Sequence, residues 1–126
     1  MKKLLLLLLI VPMISFGQCI SGDCENGYGS YHARDGSWMY TGEFKNGKRH
    51  GLGQYLWLDD GKYYKGEWKY GKRHGYGIYV ISGGDSWSGE WKDSEANGLV
   101  TYKKSDGTGS LSYYVDNKVV KTICKF

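Results

Sequence analysis

Proline is almost missing from this chain of 126 residues. The one proline, Pro12, lies near the N-terminus, so every later residue can donate its backbone N–H to a strand ladder. Long aliphatic runs are missing beyond residue 18, and a chain of this size without them does not build a thick core. Twenty glycines and the lack of a 3.6-residue apolar period argue against helices. The chain is therefore expected to form extended strands.

A large excess of one sign of charge is also missing. The chain has 17 basic and 13 acidic side chains, and removal of Lys2 and Lys3 with an N-terminal leader would leave 15 basic residues and a net charge of +2. A nearly balanced surface provides no bulk attraction for nucleic acid, so no nucleic-acid partner is expected.

The first 18 residues have the pattern of a secretory signal peptide. Lys2 and Lys3 precede an apolar run at residues 4–11, and these eight residues are far fewer than the roughly 20 that span a bilayer. Ser15 and Gly17 place small residues where a cleavage site favours them. We predict cleavage after Gly17 or one residue later, and export to the periplasm, the cell envelope or the extracellular space.

Cysteine is scarce, and the three residues are Cys19, Cys24 and Cys124. Export permits disulfides, and Cys19 and Cys24, which close a short loop, are the expected pair. As an alternative, Cys19 would carry a lipid anchor, although Gln18 is a poor match for lipoprotein processing. Cys124 is expected either to be buried in the last strand or to link two chains. No second Cys or His pair stands at ligand spacing, so no metal site and no cofactor are expected.

What the chain does contain is a repeat of about 24 residues. The segment YTGEF at 40–44 recurs as YKGEW at 64–68 and as WSGEW at 87–91, while GLG at 51–53 recurs as GYG at 75–77 and, altered, as GLV at 98–100. This pattern predicts a signal peptide at 1–18, a cap with a half repeat at 19–39, three repeats in 40–107 and capping strands at 108–126. The three repeats are placed at about 40–63, 64–86 and 87–107.

Each repeat is predicted to be a β-hairpin. Asn46-Gly47 indicates a two-residue turn because both positions favour positive φ, and the second strand is expected from about Gly51 to Leu58. Alternation places the aromatic rings and the glycines on one face, where a ring can cover the backbone that a neighbouring glycine leaves bare. The other face is expected to be mostly solvated, with Glu43, Glu67 and Glu90 beside lysines.

The third repeat departs from this pattern. DSEAN at 93–97 replaces the NGKRH segment of the first repeat, so its turn glycine is lost. A looser hairpin is expected there.

The pattern Y-x-G-E-[FW]-x-x-G-x-x-x-G-x-G-x-[YF], at 40–55 and 64–79, resembles the MORN repeat, and the likeness extends from Asn26 to about Gly107. The segment from Cys19 to Tyr31 also resembles the start of secreted bacterial MORN proteins. The resemblance implies an all-β fold, a single-layer, elongated antiparallel β-meander of repeated hairpins. It also implies a non-enzymatic role in scaffolding, dimerisation or membrane association, with affinity for phospholipid headgroups in some members.

Two sets of residues are candidate binding sites. The first follows the turns and is an anion-binding ridge or a solvated turn: Lys48, Arg49, His50, Lys72, Arg73 and His74. The second is the aromatic face. Its rings either bind a sugar or a peptide, or pack over one another and over the glycines. Its residues are Tyr40, Phe44, Tyr55, Trp57, Tyr64, Trp68, Tyr79, Trp87 and Trp91. No residue is assigned to catalysis, because the three repeated glutamates lack the differing surroundings that an acid–base pair requires.

The function expected is that of an exported, non-enzymatic interaction or scaffold module. Its partner would be an unidentified protein. An anionic phospholipid surface or a glycan is the alternative, bound through the basic turns and the aromatic face. A homodimer formed through a sheet edge or through Cys124 is also left open.

Overall fold

The computed structural model describes residues 17–126, so the predicted signal peptide lies almost wholly outside the described residues. Within them the chain forms ten β-strands and no helix. The strands are β1 (Gln18–Gly22), β2 (Tyr28–His32), β3 (Trp38–Lys45), β4 (Lys48–Trp57), β5 (Tyr63–Lys69), β6 (Lys72–Val80), β7 (Ser86–Lys92), β8 (Glu95–Lys103), β9 (Gly109–Val115) and β10 (Lys118–Lys125).

The strands form one sheet whose spatial order is the order of the chain, and each neighbouring pair is antiparallel. β1 and β10 are therefore the two open edges. The predicted all-β, single-layer antiparallel meander is confirmed. Across residues 17–126 no helix has the length and apolar character needed to cross a membrane.

Two-residue turns set the register at one end of the hairpins. Asn46 and Gly47 have φ of 50° and 73°, and this turn joins β3 to β4 as predicted. Asp93 and Ser94, in the third repeat, have φ of 50° and 67° without any glycine. The expectation of a looser third hairpin is wrong in geometry, because the same closing pair and the same register shift occur in all three repeats.

The second strand of each repeat starts earlier than predicted. A two-residue turn brings Lys45 opposite Lys48, so β4 begins at Lys48 and not near Gly51. The basic segment at 48–50 therefore belongs to the strand. Its side chains alternate between the two faces of the sheet, because successive Cβ atoms of a strand point to opposite sides.

A bulge follows that the sequence pattern did not predict. The register of β3 and β4 shifts between Gly42 and Phe44, and Gly51 has a φ of 79°. The Glu43 carboxylate lies against Gly51, and its Oε2 accepts the backbone N–H of Leu52 at 2.5 Å. A β-bulge leaves backbone groups unpaired, and here the glutamate side chain supplies the partner.

The same bulge occurs in the other two repeats. Glu67 accepts the N–H of Tyr76 at 2.5 Å, and Glu90 accepts that of Leu99 at 2.7 Å. The glutamates therefore act on the backbone and are not paired with lysine. The lysines expected beside these glutamates form no ion pair with them, since the one ion pair within residues 17–126 joins Lys62 to Asp60 at 3.3 Å.

On the aromatic face the predicted cover of glycine by rings is confirmed. Tyr40 and Tyr64 are 1% and 0% exposed, and any Cβ at Gly53 or Gly77 would overlap their rings. Each phenol donates to a backbone carbonyl of its own repeat, Tyr40 to that of Glu43 at 2.8 Å. Burial raises the pKa of both phenols. Gly51, which was also expected beneath a ring, lies against the Glu43 carboxylate instead.

The two ends of the sheet differ. Cys19 and Cys24 form the predicted disulfide beside β1, so the Cys19 sulfur is not available for a lipid anchor in this structure. β10 is exposed along its whole length, and Cys124 is an exposed free thiol. The expectation that Cys124 is buried in the last strand is therefore wrong, because no strand among residues 17–126 covers this edge.

Candidate binding groove on the aromatic face

The rings of the aromatic face form two rows of different exposure. The inner row is buried and consists of Tyr40, Phe44, Tyr64, Trp68 and Trp91. Its rings meet edge to face, with centroid distances of 5.0 Å and 5.5 Å to a neighbour. The outer row is half-buried and consists of Tyr31, Trp38, Tyr55, Trp57, Tyr79, Trp87 and Tyr102.

The inner row holds successive repeats together. Trp68 Nε1 donates to the carbonyl of Gly53 at 3.1 Å, and Trp91 Nε1 donates to that of Gly77 at 3.0 Å. A buried tryptophan that also satisfies its indole N–H is a packing residue. The five inner rings are therefore core, and the outer row supplies the accessible part of the face.

Two arginines lie over these rings. The Arg49 guanidinium is 4.7 Å from the Trp68 ring and 5.0 Å from the Tyr55 ring, and its Nη2 donates to the carbonyl of Gly71 at 2.7 Å. Planar guanidinium groups stack on aromatic faces and keep their charge. Arg49 thus links the first repeat to the turn of the second.

Arg73 repeats this arrangement one unit later. Its guanidinium is 4.9 Å from the Trp91 ring and 5.3 Å from the Tyr79 ring, and its Nη2 donates to the carbonyl of Ser94 at 2.6 Å. Burial lowers the pKa of both arginine side chains, while nearby tyrosines act in the opposite direction. The Nε of Arg49 is buried and has no hydrogen-bond partner.

The predicted basic ridge is therefore divided, and its residues do not form one surface. Lys48 and Lys72 are exposed beside the turns, whereas the two arginines belong to the aromatic face. The His50 ring lies 4.8 Å from the Tyr70 ring, and its Nδ1 accepts the Tyr70 N–H at 3.4 Å. His74 is half-buried at the equivalent position of β6.

Cavities continue along this face past both arginines. One of about 650 Å³ lies at the N-terminal end between the disulfide and Arg49, and is lined by Tyr31, Trp38 and Phe44 among others. One of about 190 Å³ has Arg49 and Arg73 in its lining. A third, of about 290 Å³, extends from Arg73 to Tyr114. Since neighbouring cavities share an arginine, we name this surface the aromatic groove.

Sequence reasoning placed the rings correctly but missed the arginines of the groove. Alternation held a signal, because Arg49 has the same parity as Gly53 and Tyr55, and the structure places all three on the aromatic face although the bulge at Gly51 lies between them. This signal was hidden by the assumption that the basic segment belonged to the turn.

The geometry agrees with a comparison against known families. A family model described as MORN repeat matches residues 40–62, 64–86 and 87–109, which together are more than half of the chain. MORN repeats generally mediate protein or membrane interactions. A search of curated proteins found no significant match. The three consecutive matches, together with the open sheet of hairpins, show that the chain belongs to the MORN repeat family.

Proposed function

We propose that this protein is an exported, non-enzymatic scaffold module that captures a protein partner through the open edge of β10. The observation that carries the proposal is an edge strand whose every residue is exposed. Val119, Val120 and Ile123 are 52%, 62% and 48% exposed. An unpaired edge offers a row of backbone donors and acceptors to an added strand.

Charge selects among the strands that would add to this edge. β10 carries Lys118, Lys121 and Lys125 and no acidic residue. A second copy of β10 would place like charges against each other, which is unfavourable across neighbouring strands. An extended acidic segment of another protein fits the edge better.

Two features support the remainder of this proposal. The Cys19–Cys24 disulfide is typical of an oxidising compartment, in agreement with export. The three repeated glutamates already accept backbone N–H groups at the bulges, which is a structural task and not that of an acid–base catalyst. Membrane binding through the turns has less support. Because the two arginines lie in the aromatic groove, Lys48 and Lys72 are the exposed cations that these segments leave at the turns.

The test is affinity capture from an envelope fraction with wild type and two charged variants. Val120→Glu adds negative charge to the edge, and Val115→Glu adds it to an exposed position on β9, which is paired on both sides. We expect crosslinks of the retained protein to map to β10, and retention to fall by about tenfold for Val120→Glu, because a carboxylate on the edge repels an acidic strand. Equal retention by both variants, or a homodimer in native mass spectrometry as the captured species, would overturn the proposal.

A further inference from the structure

The aromatic groove contains positive charge that nothing in the described chain neutralises. Neither Arg49 nor Arg73 forms an ion pair within residues 17–126. Asp23 and Glu25 line the same cavity as Arg49, but neither forms an ion pair with it, and the Asp23 Oδ1 accepts the N–H groups of Glu25 and Asn26. Charged groups that are partly buried are normally paired, so two half-buried guanidinium groups on one face without an ion-pair partner form a site suited to an anionic ligand.

Arg49 gives an independent sign of an unfilled interaction. Its Nε is buried and makes no hydrogen bond, which is rare for a charged donor in a folded protein. One of its terminal nitrogens is already used by the carbonyl of Gly71. A small movement of the side chain toward the groove would turn its remaining donors to a bound carboxylate, which guanidinium binds in a two-pronged geometry.

The spacing of the arginines describes the shape of the ligand. Arg49 lies on β4 and Arg73 on β6, two strands apart, which is about 10 Å at the usual strand separation. The aromatic groove passes both of them without interruption. A ligand that meets both arginines is therefore extended, crosses the strands, and carries acidic groups at about this interval.

The chemistry of the groove favours sugar rings over a peptide backbone. The groove lies on the face of the sheet, where the backbone N–H and C=O groups are used in the strand ladders. An extended peptide gains affinity from such groups at a sheet edge, and this face has none to offer. What it offers is a row of half-buried rings with guanidinium groups between them, which suits apolar ring faces joined to carboxylates.

We propose that the aromatic groove binds an acidic polysaccharide, a polymer of uronate sugars, across the first two repeats. Arg49 and Arg73 hold carboxylates of sugars about one disaccharide apart, and Tyr55, Trp57 and Tyr79 of the outer row pack against the sugar rings between them. This site is separate from the edge strand β10 and does not depend on the protein partner.

The probe is an α-1,4-linked hexamer of galacturonate. The control is an α-1,4-linked hexamer of glucose, which is neutral. Titration followed by tryptophan fluorescence should show saturable binding of the uronate hexamer that weakens as salt rises. Binding of the neutral hexamer should be weaker by at least about tenfold, since it lacks the charge-assisted hydrogen bonds.

Variants locate the binding. Arg73→Met keeps the apolar stem over Trp91 but removes the guanidinium, and should weaken uronate binding by about tenfold or more. Arg73→Lys keeps the charge without the planar guanidinium, and its affinity for the uronate hexamer should lie between those of wild type and Arg73→Met. The matched control is Lys65→Ser, which removes an exposed positive charge from the opposite face and should bind like wild type. Circular dichroism of each variant verifies that the sheet is intact.

Several outcomes would overturn the inference. Equal affinity for acidic and neutral hexamers would remove the role of the arginines, and equal loss in Arg73→Met and Lys65→Ser would indicate bulk charge alone. Hexaglutamate that competes as well as the uronate hexamer would assign the groove to an acidic peptide, and groove-dependent binding of anionic vesicles would assign it to a membrane. Val120→Glu should bind the uronate hexamer normally, so failure at the edge and failure at the groove are distinguishable.

Discussion

The first two repeats and the third have the same backbone but different interiors. In the first two, a buried tyrosine covers a glycine, as Tyr64 covers Gly77. In the third, Trp87 replaces the tyrosine and Val100 replaces the glycine. Val100 is fully buried, and the Trp87 ring lies farther out, 4.9 Å from the Tyr102 ring.

The arginine that links one repeat to the turn of the next is also missing from the third repeat. Ala96 stands where Arg49 and Arg73 stand earlier and is 2% exposed. Its backbone N–H donates to Asn117 Oδ1 at 2.7 Å, so the next turn is held by an asparagine side chain. The two-residue turn and the glutamate bulge therefore set the hairpin in all three repeats, whereas the tyrosine–glycine pair and the arginine are not required for this backbone.

The largest effect expected from exchanging such a pair is that of Gly77→Val. The new side chain would occupy the place of the Tyr64 ring, and overpacking of this kind should lower the free energy of unfolding by about 3 kcal/mol. Tyr64→Trp made together with Gly77→Val reproduces the pair found in the third repeat and should recover part of the loss. The midpoint of urea unfolding measures both changes.

A matched control is Gly83→Val, because a Cβ there meets nothing within 4 Å. Its effect should stay within about 0.5 kcal/mol. The losses of stability measured for Tyr64→Trp alone and for Gly77→Val alone should not simply add in the double variant. If they do add, the tyrosine–glycine and tryptophan–valine pairs are not alternative ways to fill the same space, and the comparison fails.

A second difference should appear at alkaline pH, because the tyrosines titrate and Trp87 does not. Burial raises the pKa of Tyr40 and Tyr64 above the unfolded value of about 10. Their contribution is therefore fully present below pH 10 and is lost as the pH rises further, by about 1.4 kcal/mol per tyrosine and pH unit. Tyr64→Phe should make the slope above pH 10 shallower by about 1.4 kcal/mol per pH unit, measured by urea unfolding between pH 8 and 11 at about half-unit steps.

The control for this titration is Tyr76→Phe. This variant makes the same chemical change at a side chain that is 64% exposed on the opposite face, away from the inner row of rings. Equal slopes in wild type and Tyr64→Phe would mean that the buried phenol does not resist ionisation.

The smallest effect concerns the turns. Tyr70 has a φ of 48° where the first repeat has Asn46, and a bulky residue is strained in this region whereas asparagine tolerates it. Relief of this strain in Tyr70→Asn should raise the free energy of unfolding by roughly 0.5 kcal/mol. Loss of the contact between Tyr70 and His50 should offset part of this gain. A thermal melt measures the change, and a clear drop in melting temperature would show that the His50 contact matters more than the turn.

Local chemistry made the hairpins predictable from the sequence. Asn46-Gly47 has a known turn geometry, and period-two alternation placed the rings and the glycines on one face, where the structure has Tyr40 over Gly53. The bulge was not predictable in the same way, since nothing in alternation indicates that Glu43 leaves the ladder to accept the N–H of Leu52. The role of Arg49 was missed for a related reason, because its partner, the Gly71 carbonyl, is 22 residues away in the next turn.

The sequential strand order has a consequence for how the sheet is assembled. Each strand pairs only with strands that directly precede or follow it in the chain. Loop closure is therefore short throughout, and folds with such low contact order form faster than sheets that join distant segments. During synthesis the N-terminus appears first, so each new strand after β1 finds its preceding partner already made. The sheet can therefore be built in the order of synthesis, one strand at a time, beginning beside the disulfide and ending at β10.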